Sequence, residues 1–187
     1  MIILSAHRDK VIPEYKFTYK GGKFVGLLDN IIGELVSIGI LENPCIQELE
    51  KEGTIQYYFN TGEEFGMLIN PPQLTDKDLV IVVDVCSGEQ YKDVDVAFEN
   101  TSNVKEFDKL VENLQWEGYK ISSKSYTGEV DDWDEAFSWV ELNIPVFSFI
   151  IPIDAPDDNW HGNEGEISIE RFNIAKNILT RTISYLI

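Results

Sequence analysis

Histidine, cysteine and basic residues are scarce in this chain, and each scarcity excludes something. Only 2 of the 187 residues are His, at positions 7 and 161, so a site that uses imidazole has these two to draw on. Cys45 and Cys86 are too few for a disulfide framework and read as free thiols in a reducing compartment. Lys and Arg number 15 against 33 Asp and Glu, a net charge of −18. That sign argues against nonspecific nucleic-acid binding, which needs Lys and Arg to displace counterions, and against an anionic membrane surface. It favours cations instead, of which metal ions are the smallest. No apolar run approaches the roughly 20 residues of a membrane-spanning helix. Met1 leads straight into Ile2-Ile3-Leu4, without the basic region and cleavage site of a signal peptide. The expectation is an acidic, soluble, cytoplasmic protein. A hydrophobic fraction of 43% is too high for a disordered acidic tail, and the length suits one domain over residues 1–187.

What is there alternates short apolar runs with helical patterns, which predicts an α/β domain. Ile2 to Ala6 is apolar without a period, as in a strand buried on both faces. Tyr15 to Tyr19 and Lys23 to Leu28 flank Gly21-Gly22, a hairpin signal. Asp29 or Asn30 can cap a helix through Ile31, Ile32, Leu35, Val36 and Ile40, and Pro44 can open a second that stops at Gly53. Strands are predicted at Thr54 to Phe59, Leu79 to Val83, Val94 to Phe98 and Ile144 to Ile151. Helices are predicted at Lys105 to Trp116, Trp133 to Leu142 and Ser168 to Tyr185. A central mixed β-sheet with helices on both faces, a three-layer α/β/α arrangement, accounts for this order.

Ligands of open α/β sheets bind beyond the carboxyl ends of the strands. His7-Arg8-Asp9 follows the first predicted strand, Asp29 follows the hairpin, Glu63-Glu64 follows the Tyr57-containing strand, Asp84 follows Val80 to Val83, and His161 lies a short loop after Ile151. Taken singly, each has a plain alternative: Asp29 as a helix cap, Asp84 as a turn residue, Glu63-Glu64 as a solvated loop. Jointly they are the imidazole and carboxylate set that zinc uses in catalytic sites. His7 and Asp9, two apart, point the same way in an extended chain, so the carboxylate can accept the far N–H of the imidazole. Adjacent Glu63 and Glu64 cannot share one direction, so one can hold metal while the other faces water. Two histidines and three carboxylates suffice for a pair of ions only if one carboxylate bridges, as in hydrolases whose two metals sit roughly 3.5–4 Å apart.

These residues resemble a known family. The ordered motifs His7-Arg8-Asp9, Gly26-Leu27-Leu28-Asp29-Asn30, Thr61-Gly62-Glu63-Glu64-Phe65-Gly66, Val83-Asp84 and His161 are similar to those of the co-catalytic dizinc exopeptidases. That family includes bacterial leucyl-type aminopeptidases and glutamate carboxypeptidases. Asp134-Glu135-Ala136-Phe137 before Asn143-Ile144-Pro145, and Trp160-His161 before the last helix, are similar to two further segments of it. The resemblance implies a zinc-peptidase (phosphorylase/hydrolase-like) fold in a minimal form, with no lid or dimerisation insert. It implies two Zn2+, replaceable by Co2+ or Mn2+, with His7 and Asp84 on one ion, Glu64 and His161 on the other, and Asp29 between them. Asp9 would orient His7. Glu63 would be the general base that takes a proton from a metal-bound water.

The activity implied is that of an exopeptidase, an aminopeptidase in preference to a carboxypeptidase, because an acidic pocket suits a free α-amine. The substrate would be a peptide or, in an amidohydrolase or deacylase, an acyl-amino acid. A noncatalytic metal-binding relative is the remaining reading, and Glu63 argues against it. Asn143 replaces the family's usual Gly before Ile-Pro. Family members usually have residues ahead of the His-x-Asp strand. A strand that begins at Met1 predicts an exposed sheet edge, favouring a homo-oligomer. Cys86, just after Asp84, reads as a buried thiol.

Overall fold

The computed structural model describes residues 1–10, 14, 16–88, 91, 93–102, 104–125, 135–156 and 161–187. Tyr15, Trp133, Asp134 and Trp160, used in the sequence reading, lie outside the described residues. Strands β1 (Ile2–His7), β4 (Ile55–Asn60), β5 (Leu79–Ser87), β6 (Val96–Asn100), β7 (Ile121–Ser125) and β8 (Val146–Ile153) form one sheet in the order β4-β1-β5-β8-β6-β7. All neighbours pair in parallel except β6 and β8, so the sheet is mixed, as expected.

Strand alternation explains how the two faces are covered. Leu4 of β1 and Ile81 and Val83 of β5 face the side packed by α1 (Ile31–Gly39), α3 (Phe107–Trp116) and α5 (Ile169–Leu186), where they join Ile32, Val36, Leu110, Leu114, Ile178 and Leu179 in the main core. Ile3, Val80 and Val82 face the other side, with Ala136 and Trp139 of α4 (Glu135–Glu141). The result is the predicted three-layer α/β/α fold. Helix α2 (Pro44–Lys51) adds Ile46 to the main core, and Asn43 caps it by accepting from the Cys45 N–H at 2.9 Å.

Several expectations need correction. The opening strand lies inside the sheet, between β4 and β5, and the two sheet edges are β4 and β7. Asp84 does not follow its strand. Pairing with β8 continues from Val80 to Ser87, which keeps Asp84 inside β5. Two strands go unforeseen: polar β7 at the sheet edge, and β9 (Gly165–Ser168). With β2 (Phe17–Lys20) and β3 (Lys23–Gly26), β9 makes a separate antiparallel sheet in the order β2-β3-β9. The hairpin at Gly21-Gly22 thus belongs to this small sheet. Gly26 pairs with Gly165, so the chain leaving β3 and the chain entering β9 meet at the same end.

Candidate metal centre

His7 is the last residue of β1 and lies on the same face as Ile3 and Ser5. The β1–β5 register sets Ser5 opposite Val82, and two residues further it brings His7 beside Asp84. Asp84 Oδ1 is 3.6 Å from His7 Nε2. Asp29 reaches the same nitrogen from the turn between β3 and α1. Asn30 caps α1, accepting from the Gly33 N–H at 2.9 Å and donating to the Val83 carbonyl at 2.6 Å. That clamp ties the start of α1 to β5 and holds Asp29 Oδ1 3.0 Å from His7 Nε2. Gly33 permits the clamp: a Cβ there would lie 2.1 Å from Asn30 Oδ1 and 2.4 Å from the Val83 carbonyl oxygen. The Asp29–Asn30 peptide bond is cis.

The small sheet delivers the second histidine. Asp29 follows β3 by three residues and His161 precedes β9 by four, and the Gly26–Gly165 pairing brings the two together. His161 Nε2 lies 3.5 Å from Asp29 Oδ2. Each oxygen of Asp29 therefore faces a different imidazole. His7 and Asp29 are buried, 2% and 3% exposed, while the His161 side chain is 43% exposed.

Glu63 and Glu64 sit on a single 3-10 turn, Glu63–Phe65, after β4. Glu63 Oε2 and Asp9 Oδ1 both lie 3.7 Å from His7 Nδ1, beyond hydrogen-bond length. Asp9 instead accepts from the Glu64 N–H at 3.0 Å, which ties the turn to the end of β1. Ligand atoms of His7, Asp29 and Asp84 all lie within 4.8 Å of one another, as do those of His7, Glu63 and Glu64. Among the described residues, the seven positions singled out in the sequence thus come together around His7 and Asp29, with Glu64 grouped with His7 and Glu63. Arg8 turns away. It donates to Glu34 on α1 at 2.7 Å, with its guanidinium 4.2 Å from the centre of the Phe59 ring.

Electrostatics expose a shortage of positive charge. Burial works against a charged His7, yet the Asp84 carboxylate, with Asp29 and Asp9 close by, overcomes it and raises the imidazole pKa. Burial, reinforced by the Asp84 charge, pushes Glu63 up to about 8, and burial with the Asp29 charge pushes Glu64 up to about 7. Lys10 is half-buried here, its ammonium donating to the Asp9 carbonyl at 3.2 Å, and burial lowers its pKa despite the surrounding acids. Buried His7 Nδ1, Asp9 Oδ1 and Glu64 Oε1 have no hydrogen-bond partner. Five carboxylates around one imidazole, with orphaned donor atoms among them, fit divalent cations bound through nitrogen and oxygen.

One buried acid escaped the sequence reading except as part of a family-like segment. Glu135, 2% exposed, accepts from the Ser5 hydroxyl and from the Trp139 indole at 3.0 Å, while its Oε2 has no partner. Burial pushes it up to about 7. Its four-residue spacing from Trp139 was the available signal. Cys86 is also buried, and burial pushes its thiol up to about 12, whereas Cys45 is exposed.

No family model matches the chain, and no curated protein matches it in sequence. Solved structures do match in shape. Yeast aminopeptidase 1 superposes with a TM-score of 0.59 at 12% identity, over 91% of this chain and 48% of that one. Aminopeptidase I from Clostridium acetobutylicum gives 0.59 at 12%, over 89% and 46%. PhTET1-12s, solved as a dodecamer in its asymmetric unit, gives 0.57 at 12%, over 90% and 53%. The fold is the one these chains share. This chain spans about half the length of the structures it matches. No helix among the described residues is long and apolar enough to cross a membrane.

Proposed function

We propose that this chain is a single catalytic domain acting as a zinc-dependent exopeptidase, specifically an aminopeptidase, in a reducing cytoplasm. The observation that carries the reading is the carboxylate of Asp29, with one oxygen 3.0 Å from His7 and the other 3.5 Å from His161. His7 and Asp84 would hold one ion, Glu64 and His161 the other, with Asp29 shared. Bound zinc would lower the pKa of a water and polarise the scissile carbonyl.

The remaining steps belong to the chain's own side chains. Glu63 takes the proton of the attacking water and returns it to the leaving amine. Burial and the Asp84 charge hold its pKa at about 8, and bound cations would lower it. Asp9 would orient His7 through its charge, 3.7 Å from Nδ1, and it ties down the Glu63–Phe65 turn by accepting from the Glu64 N–H. The surplus of carboxylates favours a substrate α-amine over a carboxylate. PhTET1-12s and a form of yeast aminopeptidase 1 are dodecamers, and we extend to this chain the reading of a homo-oligomer.

Lys10 favours a second reading, a deacylase of N-acyl amino acids, because its ammonium at the acidic cluster could pair with a substrate carboxylate. Elemental analysis and a panel of free-amine and N-acylated substrates test both. Two zinc ions per chain with hydrolysis of free-amine substrates supports the aminopeptidase. Turnover of N-acyl amino acids alone supports the deacylase. Absence of bound metal overturns the proposal.

A further inference from the structure

The turn that carries Glu63 continues into an unusual surface. Phe65 is 77% exposed, Met67 50% and Ile69 39%, three large apolar residues within five positions. Slack does not explain their exposure, because the backbone beneath them is pinned. The Glu64 N–H donates to Asp9 at 3.0 Å, the Met67 N–H to the Gly62 carbonyl at 2.9 Å, and the Ile69 N–H to Asn60 at 3.1 Å. Asn60 also donates to the Met67 carbonyl at 2.8 Å, and the Tyr58 hydroxyl to the Ile69 carbonyl at 2.8 Å. Gly66 closes the turn in the left-handed region at φ 66°. The segment is a fixed apolar ledge attached to an acidic cluster, and exposed apolar surface held rigid at the rim of a site is binding surface.

Two features select its occupant. A second copy seated on this ledge would set its own acids against the acidic rim, so a homo-oligomer is better served by another face. A peptide with a free amine is complementary to the acids and can lay an apolar side chain on the ledge. Glu63 must reach the leaving amine to deliver its proton, which favours the leaving-group side of the scissile bond for the ledge that continues its turn. We infer that Phe65 and Met67 are specificity-determining residues that select an apolar residue immediately C-terminal to the cleaved bond. The inference rests on the reading of this site as a peptide-bond hydrolase.

The experiment compares kcat/KM for dipeptides that share the first residue and carry Leu or Phe against Gly or Asp in the second position, in the zinc-loaded chain. The native chain should favour Leu and Phe by roughly tenfold, the selectivity one apolar side chain contributes. Phe65→Ala and Met67→Ala should each cut that ratio severalfold, mainly through KM, and Phe65→Leu should restore most of it. Trp116→Ala, on an exposed residue of α3, should leave the ratio unchanged. Zinc content and melting temperature of each variant report whether it folds. Efficient hydrolysis with no preference at the second position overturns the ledge while leaving the hydrolase reading intact. Hydrolysis of none of the peptides overturns the hydrolase reading itself. A Phe65→Ala variant with an unchanged ratio but an altered sedimentation coefficient overturns the inference in favour of a second copy on the ledge.

Discussion

The Oδ1 atom of Asp29 lies 3.0 Å from Nε2 of His7, although His7 ends β1 and Asp29 lies 22 positions on, in the turn between β3 and α1. With Oδ2 directed at His161, Asp29 is the only carboxylate of the cluster whose two oxygens are seen to face two histidines among the described residues. Asp29→Asn should therefore reduce bound zinc from two equivalents to one or none and abolish hydrolysis. In chelator, the same variant should melt at or above the temperature of the native chain, since it removes one of five crowded negative charges. Elemental analysis and paired melts with and without chelator check both halves. An undiminished zinc content would remove Asp29 from its bridging role.

Glu63→Gln separates chemistry from metal binding. Removing a general base costs about 10²- to 10⁴-fold in rate. The variant should keep its zinc, because Glu63 is assigned no ion. Retention of full kcat would end its assignment as the base.

Glu135 carries a pH signature. Its folded pKa of about 7 stands above the ordinary 4.5, so the folded state holds the proton more tightly than the unfolded chain. Its contribution is complete below about pH 4.5 and is lost as pH rises through 7. Glu135→Gln mimics the protonated acid. In chelator it should match the native chain near pH 4.5 and exceed it above pH 7.5 by on the order of 3 kcal/mol, the equivalent of the shift. Denaturant titrations across that range provide the test, and parallel curves would show that Glu135 does not titrate there.

Gly33→Ala should break the clamp between α1 and β5. The added methyl would lie 2.1 Å from Asn30 Oδ1, so Asn30 must release Gly33, Val83 or both. A loss of about 1–3 kcal/mol follows from such overpacking, together with weaker zinc binding because Asp29 is the next residue. Asn30→Ala should reproduce the effect at about 1–2 kcal/mol, the value of a lost cap. Chemical denaturation and zinc titration of both variants measure it.

The two thiols should behave differently. Cys45 is exposed and Cys86 is buried with its pKa pushed up to about 12. One equivalent of thiol should react quickly with an aromatic disulfide in the native chain, and the second only on unfolding.

Much of the fold is legible because apolar runs such as Leu79 to Val83 and the helix-opening Pro44 are local signals. The cluster is legible at its sheet end, where strand parity puts His7 and Asp84 on one face. Its other half is not. Strand β9 has one fully buried apolar side chain, Ile167, and becomes a strand only by pairing with β3, so nothing local announces that His161 will meet Asp29. Glu135 and Phe65 mislead in opposite directions. Composition would send the acid to the surface and the aromatic to the core, and tertiary packing does the reverse.

The β3–β9 pairing also makes the cluster depend on a distant seam. Its partners are separated by more than 130 positions and bring the loop that carries His161 back beside Asp29. A change that loosens the small sheet would part the second imidazole from Asp29 and leave the acids around His7 in place, so the two halves of the cluster can fail separately.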